Sequence, residues 1–255
     1  MLLVIDVGNT NIVYGLFDGP KLVHEFRVES GRGRTEDEFL VVLAELLRFH
    51  GVERSSVTSA IVASVVPALT EPMVFMARKA FGVKPIVISA EMDTGMPVLV
   101  DNPRELGADR IVNAVAAFAH TKMATVVVDF GTATTFDCVS AKGEYVGGVI
   151  APGIQIGADA LSARAAKLPR VEIAKPERVI GRNTLTAMQS GIVYGYVGLV
   201  DGVVTRLRDE MGVPCKVVAT GGLSRLIAPM TTAVDEVLPA LTLEGLRLLH
   251  DRFRP

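Results

Sequence analysis

Asp6-Val7-Gly8-Asn9-Thr10 and Asp129-Phe130-Gly131-Thr132-Ala133-Thr134 are two versions of one pattern, set 123 positions apart in a 255-residue chain. Each follows a short apolar run, Leu2-Leu3-Val4-Ile5 in the first and Thr125-Val126-Val127-Val128 in the second. A strand entering a glycine-containing turn lets backbone N–H groups approach an anion with no Cβ in the way. Asn9, Thr10 and Asn11 add side-chain donors. One Asp-Gly turn is ordinarily only a hairpin. Two with matching flanks point to a duplicated architecture. Were the two lobes to face each other, two carboxylates and two sets of turn N–H groups would suit a nucleotide triphosphate and its metal.

The flanks repeat as well. After the first turn, residues 12–17 and 22–28 read as strands joined at Asp18-Gly19. After the second, residues 135–139 and 144–150 do the same around Lys142-Gly143. Each half thus opens with a three-stranded meander. Thr35, with Glu38 three residues on, forms a capping box for a helix whose apolar face is Phe39, Val42, Leu43, Leu46 and Leu47. Residues 60–66 read as a buried strand, 69–81 as a helix and 85–88 as a short strand. Helices are expected at 109–120, 155–167, 184–211 and 243–253, the last capped by Thr242, and a strand at 216–220. Alternating helices and strands imply parallel pairing with right-handed crossovers. The expected fold is α/β in two mixed-sheet lobes, residues 1–120 and 121–255, with a hinge near 115–123.

Composition narrows the function. Hydrophobic residues make up 49% of the chain and charged residues 21%, enough for substantial cores. A net charge of −2 gives no global pull toward nucleic acid or an anionic membrane. The compact basic cluster around Arg32 and Arg34 reads as a solvated loop. Cys138 and Cys215 read as reduced thiols in apolar settings, without zinc spacing. His24, His50, His120 and His250 lack paired spacing and read as surface or packing residues. The N-terminal apolar run stops at Asp6, too short for a signal peptide or a span. A cytoplasmic protein is expected.

Asp6 and Asp129 would repel phosphate directly, so they fit through Mg²⁺, its waters or a monovalent cation. No Gly-x-x-x-x-Gly-Lys-Ser/Thr run occurs, which excludes a P-loop. Gly147-Gly148-Val149-Ile150-Ala151-Pro152-Gly153 and Thr220-Gly221-Gly222 place glycines at strand ends. Each fits close approach to a base or sugar, although either segment alone reads first as a bulge or tight packing. Asp109 and Arg110, before an apolar helix, read either as an N-cap carboxylate beside a surface charge or as a substrate pair. In the second reading Arg110 holds a substrate carboxylate and Asp109 takes the proton of an alcohol attacking a γ-phosphoryl group.

The chain resembles the type III pantothenate kinases, in the superfamily of acetate and sugar kinases, heat-shock chaperones and actin. The resemblance runs through Asp6 to Asn11, Asp101-Asn102-Pro103 with Gly107 to Arg110, Asp129 to Thr135 and Gly147 to Gly153. It continues in Asn183-Thr184, Ala187 to Gly191, Ala219 to Gly222 and Leu241 to Leu246. It implies ribonuclease-H-like, actin-like ATPase lobes and ATP-dependent phosphorylation of pantothenate to 4'-phosphopantothenate, the first step toward coenzyme A. By position, Asp6, Val7, Gly8, Asn9, Thr10, Asn11, Ile12 and Val13 would bind ATP, with Thr132, and Gly221 and Gly222 beside it. Gly107, Ala108, Asp109 and Arg110 would line the pantothenate site, with Val100 where many members have an aromatic residue. Thr184 would reach pantothenate across a homodimer interface. Asp109 would accept the proton and Asp129 would ligate K⁺ or NH₄⁺. Asp6 as a Mg²⁺ anchor follows from its charge and position. The alternatives are another small-molecule kinase on this fold and a non-catalytic nucleotide-binding regulator.

Overall fold

Both halves build the same five-stranded sheet. The computed structural model describes residues 1–31, 33–89 and 91–254, so Arg32 of the basic cluster lies outside the described residues. The strands are β1 Leu2–Val7, β2 Asn11–Asp18, β3 Lys21–Glu29, β4 Ser59–Ser64, β5 Ile86–Val87, β6 Thr125–Phe130, β7 Ala133–Val139, β8 Tyr145–Pro152, β9 Lys216–Thr220 and β10 Glu236–Val237. The α-helices are α1 Glu36–Phe49, α2 Pro67–Phe81, α3 Ala108–Thr121, α4 Ile154–Arg164, α5 Thr184–Met211, α6 Ser224–Ile227 and α7 Leu241–Phe253. The first sheet runs β3-β2-β1-β4-β5 and the second β8-β7-β6-β9-β10. In each, the meander strands pair antiparallel and the last two join in parallel. Two α/β units with one topology bear out the repeated pattern. The short strand β10 is added to the expected set.

The units are Met1–Met96 with Asp101–Ala116 and Leu241–Pro255, and Pro97–Val100 with Ala117–Ala240. The division expected from the sequence places residues 241–255 in the second lobe. Instead α7 packs on β1, β2 and β4 of the first. The reason lies in the strand register. Because β1 is central, its side chains are buried on both faces. Leu3, Ile5 and Val7 pack with Phe39 and Leu43 of α1 and Leu69 and Met73 of α2. Leu2 and Val4 pack on the other face with Val112 of α3 and Leu243, Leu246 and Leu249 of α7. Without α7 that second face would lose much of its cover. In the second unit Val126, Val128 and Phe130 of β6 pack with Val193, Val200 and Val204 of α5.

Helix ends follow local chemistry. Thr35 and Glu38 form the expected capping box at α1, and Asn183 with Thr186 forms another at α5. Thr242 is not the cap of α7. The helix already begins at Leu241, and the Thr242 hydroxyl donates to Asn113 Oδ1 of α3 at 2.7 Å. A partner 129 residues away satisfies a side chain that the local pattern assigns to the helix end. No helix among the described residues is long and apolar enough to cross a membrane.

Candidate nucleotide and acceptor site

The first turn is held from three sides. Gly8 N–H donates to Asn11 C=O at 3.0 Å. Ser30, buried at the end of β3, donates through Oγ to Gly8 C=O at 2.6 Å and through its N–H to Thr10 C=O at 3.0 Å. Asn9 and Thr10 remain exposed and Asp6 partly so, whereas Ile12 and Val13 are buried in β2. Those last two face opposite sides of the sheet, in its two cores. Only their backbones are open to a role at a phosphate. Ser30 carried no signal in the sequence, since a lone serine after a strand is an ordinary loop residue.

Asp109 reaches the same end of this sheet. Val65 N–H donates to Val7 C=O at 3.1 Å, so the residue after β4 lies against the last residue of β1. A Cβ on Gly107 would stand 3.7 Å from Val65 Cγ1 and 2.6 Å from Asp109 Oδ1. The start of α3 is therefore packed beside the end of β4, with the Asp109 carboxylate folded back over Gly107. Asp109 lies in the first turn of α3, after Ala108, not at the N-cap. Its Oδ1 accepts the Arg110 N–H at 2.8 Å. Burial raises the Asp109 pKa above the usual carboxylate value, against the lowering pull of that hydrogen bond and of the Arg110 charge. A carboxylate made more basic and fixed in direction is suited to accepting a proton.

In the second unit Asp129 pairs with Thr135 across β7 and with Thr220 along β9. Gly221, at φ +88°, lies directly on it: an added Cβ would stand 2.4 Å from Asp129 Oδ1 and 2.6 Å from Phe130 C. Only glycine gives both the left-handed backbone and this approach. The turn at Thr132 is backed by Gly153, whose added Cβ would lie 2.0 Å from Thr132 C=O oxygen. Tyr196 of α5 donates to the Pro152 carbonyl just before it. For Gly153 and Gly221, tight packing against the turn is thus what the structure displays. Gly222 is exposed beside them.

The remaining expected residues are spread over both units. Val100 belongs to the second and follows Leu99, whose N–H donates to Tyr145 C=O at 2.8 Å. Thr184 is the exposed first residue of α5. Asp6, Gly107, Ala108, Asp109 and Arg110 all belong to the first unit.

The class defined by these sheets and turns is the actin-like ATPase fold, which sugar kinases share. A candidate 2-dehydro-3-deoxygalactonokinase of Sinorhizobium meliloti has this fold at a TM-score of 0.61 and 11% identity, with 100% of each chain covered. The ethanolamine utilization protein EutJ of Carboxydothermus hydrogenoformans has it at a TM-score of 0.54 and 14% identity, over 97% of this chain and 89% of that one. The family model for type III pantothenate kinase matches residues 2–206. The type III pantothenate kinase of Anaeromyxobacter sp. (strain Fw109-5) is 54% identical over 254 residues, 100% of both chains. That of Moorella thermoacetica is 53% identical over 252 residues, 99% of both. The chain belongs to the type III pantothenate kinase family.

Proposed function

We propose that the reaction of this family, ATP-dependent phosphorylation of pantothenate, runs in this chain with Asp109 as the proton acceptor. The observation that carries the assignment is the Asp109 carboxylate itself. It is aimed by the Arg110 N–H at 2.8 Å, is made more basic by burial, and stands at the sheet end that bears the Gly8 turn. Pantothenate offers a primary alcohol and a carboxylate. Asp109 orients the alcohol and takes its proton as the oxygen bonds to the γ-phosphorus and the bond to ADP breaks. In a loose transition state that proton leaves late, so a carboxylate is basic enough. Arg110 holds the substrate carboxylate as a two-pronged donor.

ATP enters with Mg²⁺ as its counter-ion. Among the described residues there is no cluster of three or more His, Cys, Asp and Glu able to hold a metal ion alone. A single carboxylate, Asp6, beside a turn with exposed Asn9 and Thr10, fits a metal that arrives already bound to phosphate oxygens. Val7 to Val13 are assigned to the phosphates through the turn and its backbone, and Thr132, Gly221 and Gly222 are assigned to the nucleotide. Asp129 is assigned to a monovalent cation, K⁺ or NH₄⁺. Its crowding by the Gly221 backbone favours a weakly charged, oxygen-seeking ion over a bulky ligand. Such an ion would neutralise developing phosphate charge. Activity in K⁺ is expected to exceed that in Na⁺ by roughly tenfold or more, and Asp129→Ala to abolish the difference. Equal rates in the two salts would remove the cation from Asp129.

The same proposal includes a cytoplasmic homodimer in which Thr184 reaches the partner's pantothenate. Gly191, Gly195 and Gly198 of α5 support it, because a Cβ on any of them would meet open space, as a helix awaiting a close neighbour requires. The test of function is a coupled assay for ADP in potassium buffer, with and without pantothenate. Pantothenate-dependent ADP release is expected. Release that ignores pantothenate and follows another alcohol would identify a different small-molecule kinase, and no release with any acceptor would favour a nucleotide-gated regulator.

A further inference from the structure

At the other end of the first sheet, where β1 and β4 begin, lies a cavity of about 370 Å³. The six-residue β1 separates it from the Asp6 end by about 17 Å of strand rise. Its lining includes Lys84, His250, Arg254, Thr58 and Ser59, and among the described residues it includes no carboxylate. Neither Lys84 nor Arg254 forms an ion pair with a described residue, and the hydroxyls of Thr58 and Ser59 make no hydrogen bond with one. His250 is 4% exposed, yet its Nδ1 has no hydrogen-bond partner among the described residues. Asp251 Oδ1 is 3.7 Å from it, beyond hydrogen-bond distance. A buried polar atom left unsatisfied is costly and calls for a partner.

The fold puts these groups together from three directions. α7 and the turn that extends it carry His250 and Arg254, with Arg254 N–H donating to His250 C=O at 3.0 Å. The segment after α2 supplies Lys84, and the entry to β4 supplies Thr58 and Ser59. A neighbouring cavity of about 320 Å³ shares Thr58, Ser59, His250 and Arg254 and adds Arg247 together with Asp18 and Asp251. Arg247 is already neutralised by Glu244 at 3.1 Å and Asp251 at 2.8 Å. Burial, followed by the Arg254 charge, holds His250 below the usual imidazole pKa against the raising pull of Asp251. Two cations, Lys84 and Arg254, with no ion-pair partner among the described residues, on one concave, partly apolar wall favour an anion.

We propose that this cavity binds a small oxyanion, a carboxylate or phosphate group on a short apolar body, between Lys84 and Arg254 with the His250 imidazole as its hydrogen-bond donor. Val83, Ile86 and Phe253 line the same wall and accommodate the body. The site is independent of the phosphoryl-transfer residues and does not rest on their assignment. It is tested with the full chain labelled with ¹⁵N-histidine, its His250 ring signals identified by their loss in His250→Gln. Titration with inorganic phosphate and, separately, with malonate is expected to shift those signals to saturation with at least one of them. Which ion acts distinguishes a phosphate from a carboxylate ligand. The double variant Lys84→Gln/Arg254→Gln, altered only at exposed side chains, should weaken the response by roughly tenfold or more. Phosphate bound near Gly8 would leave His250 unmoved. No saturable shift with either ion, or the same midpoint in the double variant, would overturn the proposal.

Discussion

Asp109→Asn lowers phosphoryl transfer by roughly 10²–10⁴-fold, the range for loss of a positioned general base, while ATP affinity stays within about twofold. Asn keeps the shape and still accepts the Arg110 N–H through its Oδ1, so the start of α3 is preserved. What it loses is the ability to take a proton. The wild-type rate should also fall on the acid side, with a midpoint above the ordinary carboxylate range, because burial raises the Asp109 pKa. The sign for stability runs the other way. A carboxyl whose folded pKa is raised contributes stability below its unfolded pKa, and that contribution is lost as pH rises through the folded value. Near neutral pH the ionised group therefore works against folding, and Asn removes this. The variant should melt at the same temperature as wild type or higher. Single-turnover kinetics, nucleotide titration and a melting curve at neutral pH check all three. Near-normal turnover would remove Asp109 from the base role, and a markedly lower melting temperature would assign the lost activity to misfolding.

Gly153→Ala is expected to destabilise the second unit severely through a single added methyl group. Its Cβ would stand 2.0 Å from the Thr132 carbonyl oxygen, 2.7 Å from that carbonyl carbon and 2.9 Å from the Gly131 carbonyl oxygen. All three are backbone atoms and cannot rotate away. The conformation itself is no obstacle, since φ −67° and ψ 157° suit any residue. Relief requires moving either the start of α4 or the Gly131–Thr132 turn, and overpacking of this kind costs about 3 kcal/mol. Denaturant melts should register that loss, and nucleotide affinity should fall with it as Thr132 is displaced. Gly33→Ala, where an added Cβ has no neighbour within 4 Å, is the control and should change neither. Full nucleotide affinity in a destabilised Gly153→Ala would separate Thr132 from the nucleotide.

Much of this was legible in the chain because the information is local or repeated. The alternation and apolar runs of β1 to β3 and β6 to β8 need only pleat geometry to be read. The two Asp-x-Gly turns revealed each other. The capping box at Thr35 satisfies its donors within four residues. Thr242 failed for the opposite reason: its hydroxyl is used by Asn113, far away in sequence and adjacent in space. Ser30 was silent for the same reason, since its value comes from reaching back to Gly8 across the meander. His250 read as a surface or packing residue because the groups around its cavity come from three separate segments.

The sequence by itself determined the duplicated α/β architecture and the family, and it supplied the residues proposed to bear the chemistry. Those follow from periodicity, turn chemistry and ordered motifs, which are properties of neighbours along the chain. Only the tertiary structure decided which lobe the last helix completes, since both faces of β1 are apolar and either needs a cover. It also decided that Gly107, Gly153 and Gly221 are glycines because of what lies against them. And it decided the state of Asp109, whose raised pKa comes from burial between β4 and α3, an environment that no neighbour in sequence supplies.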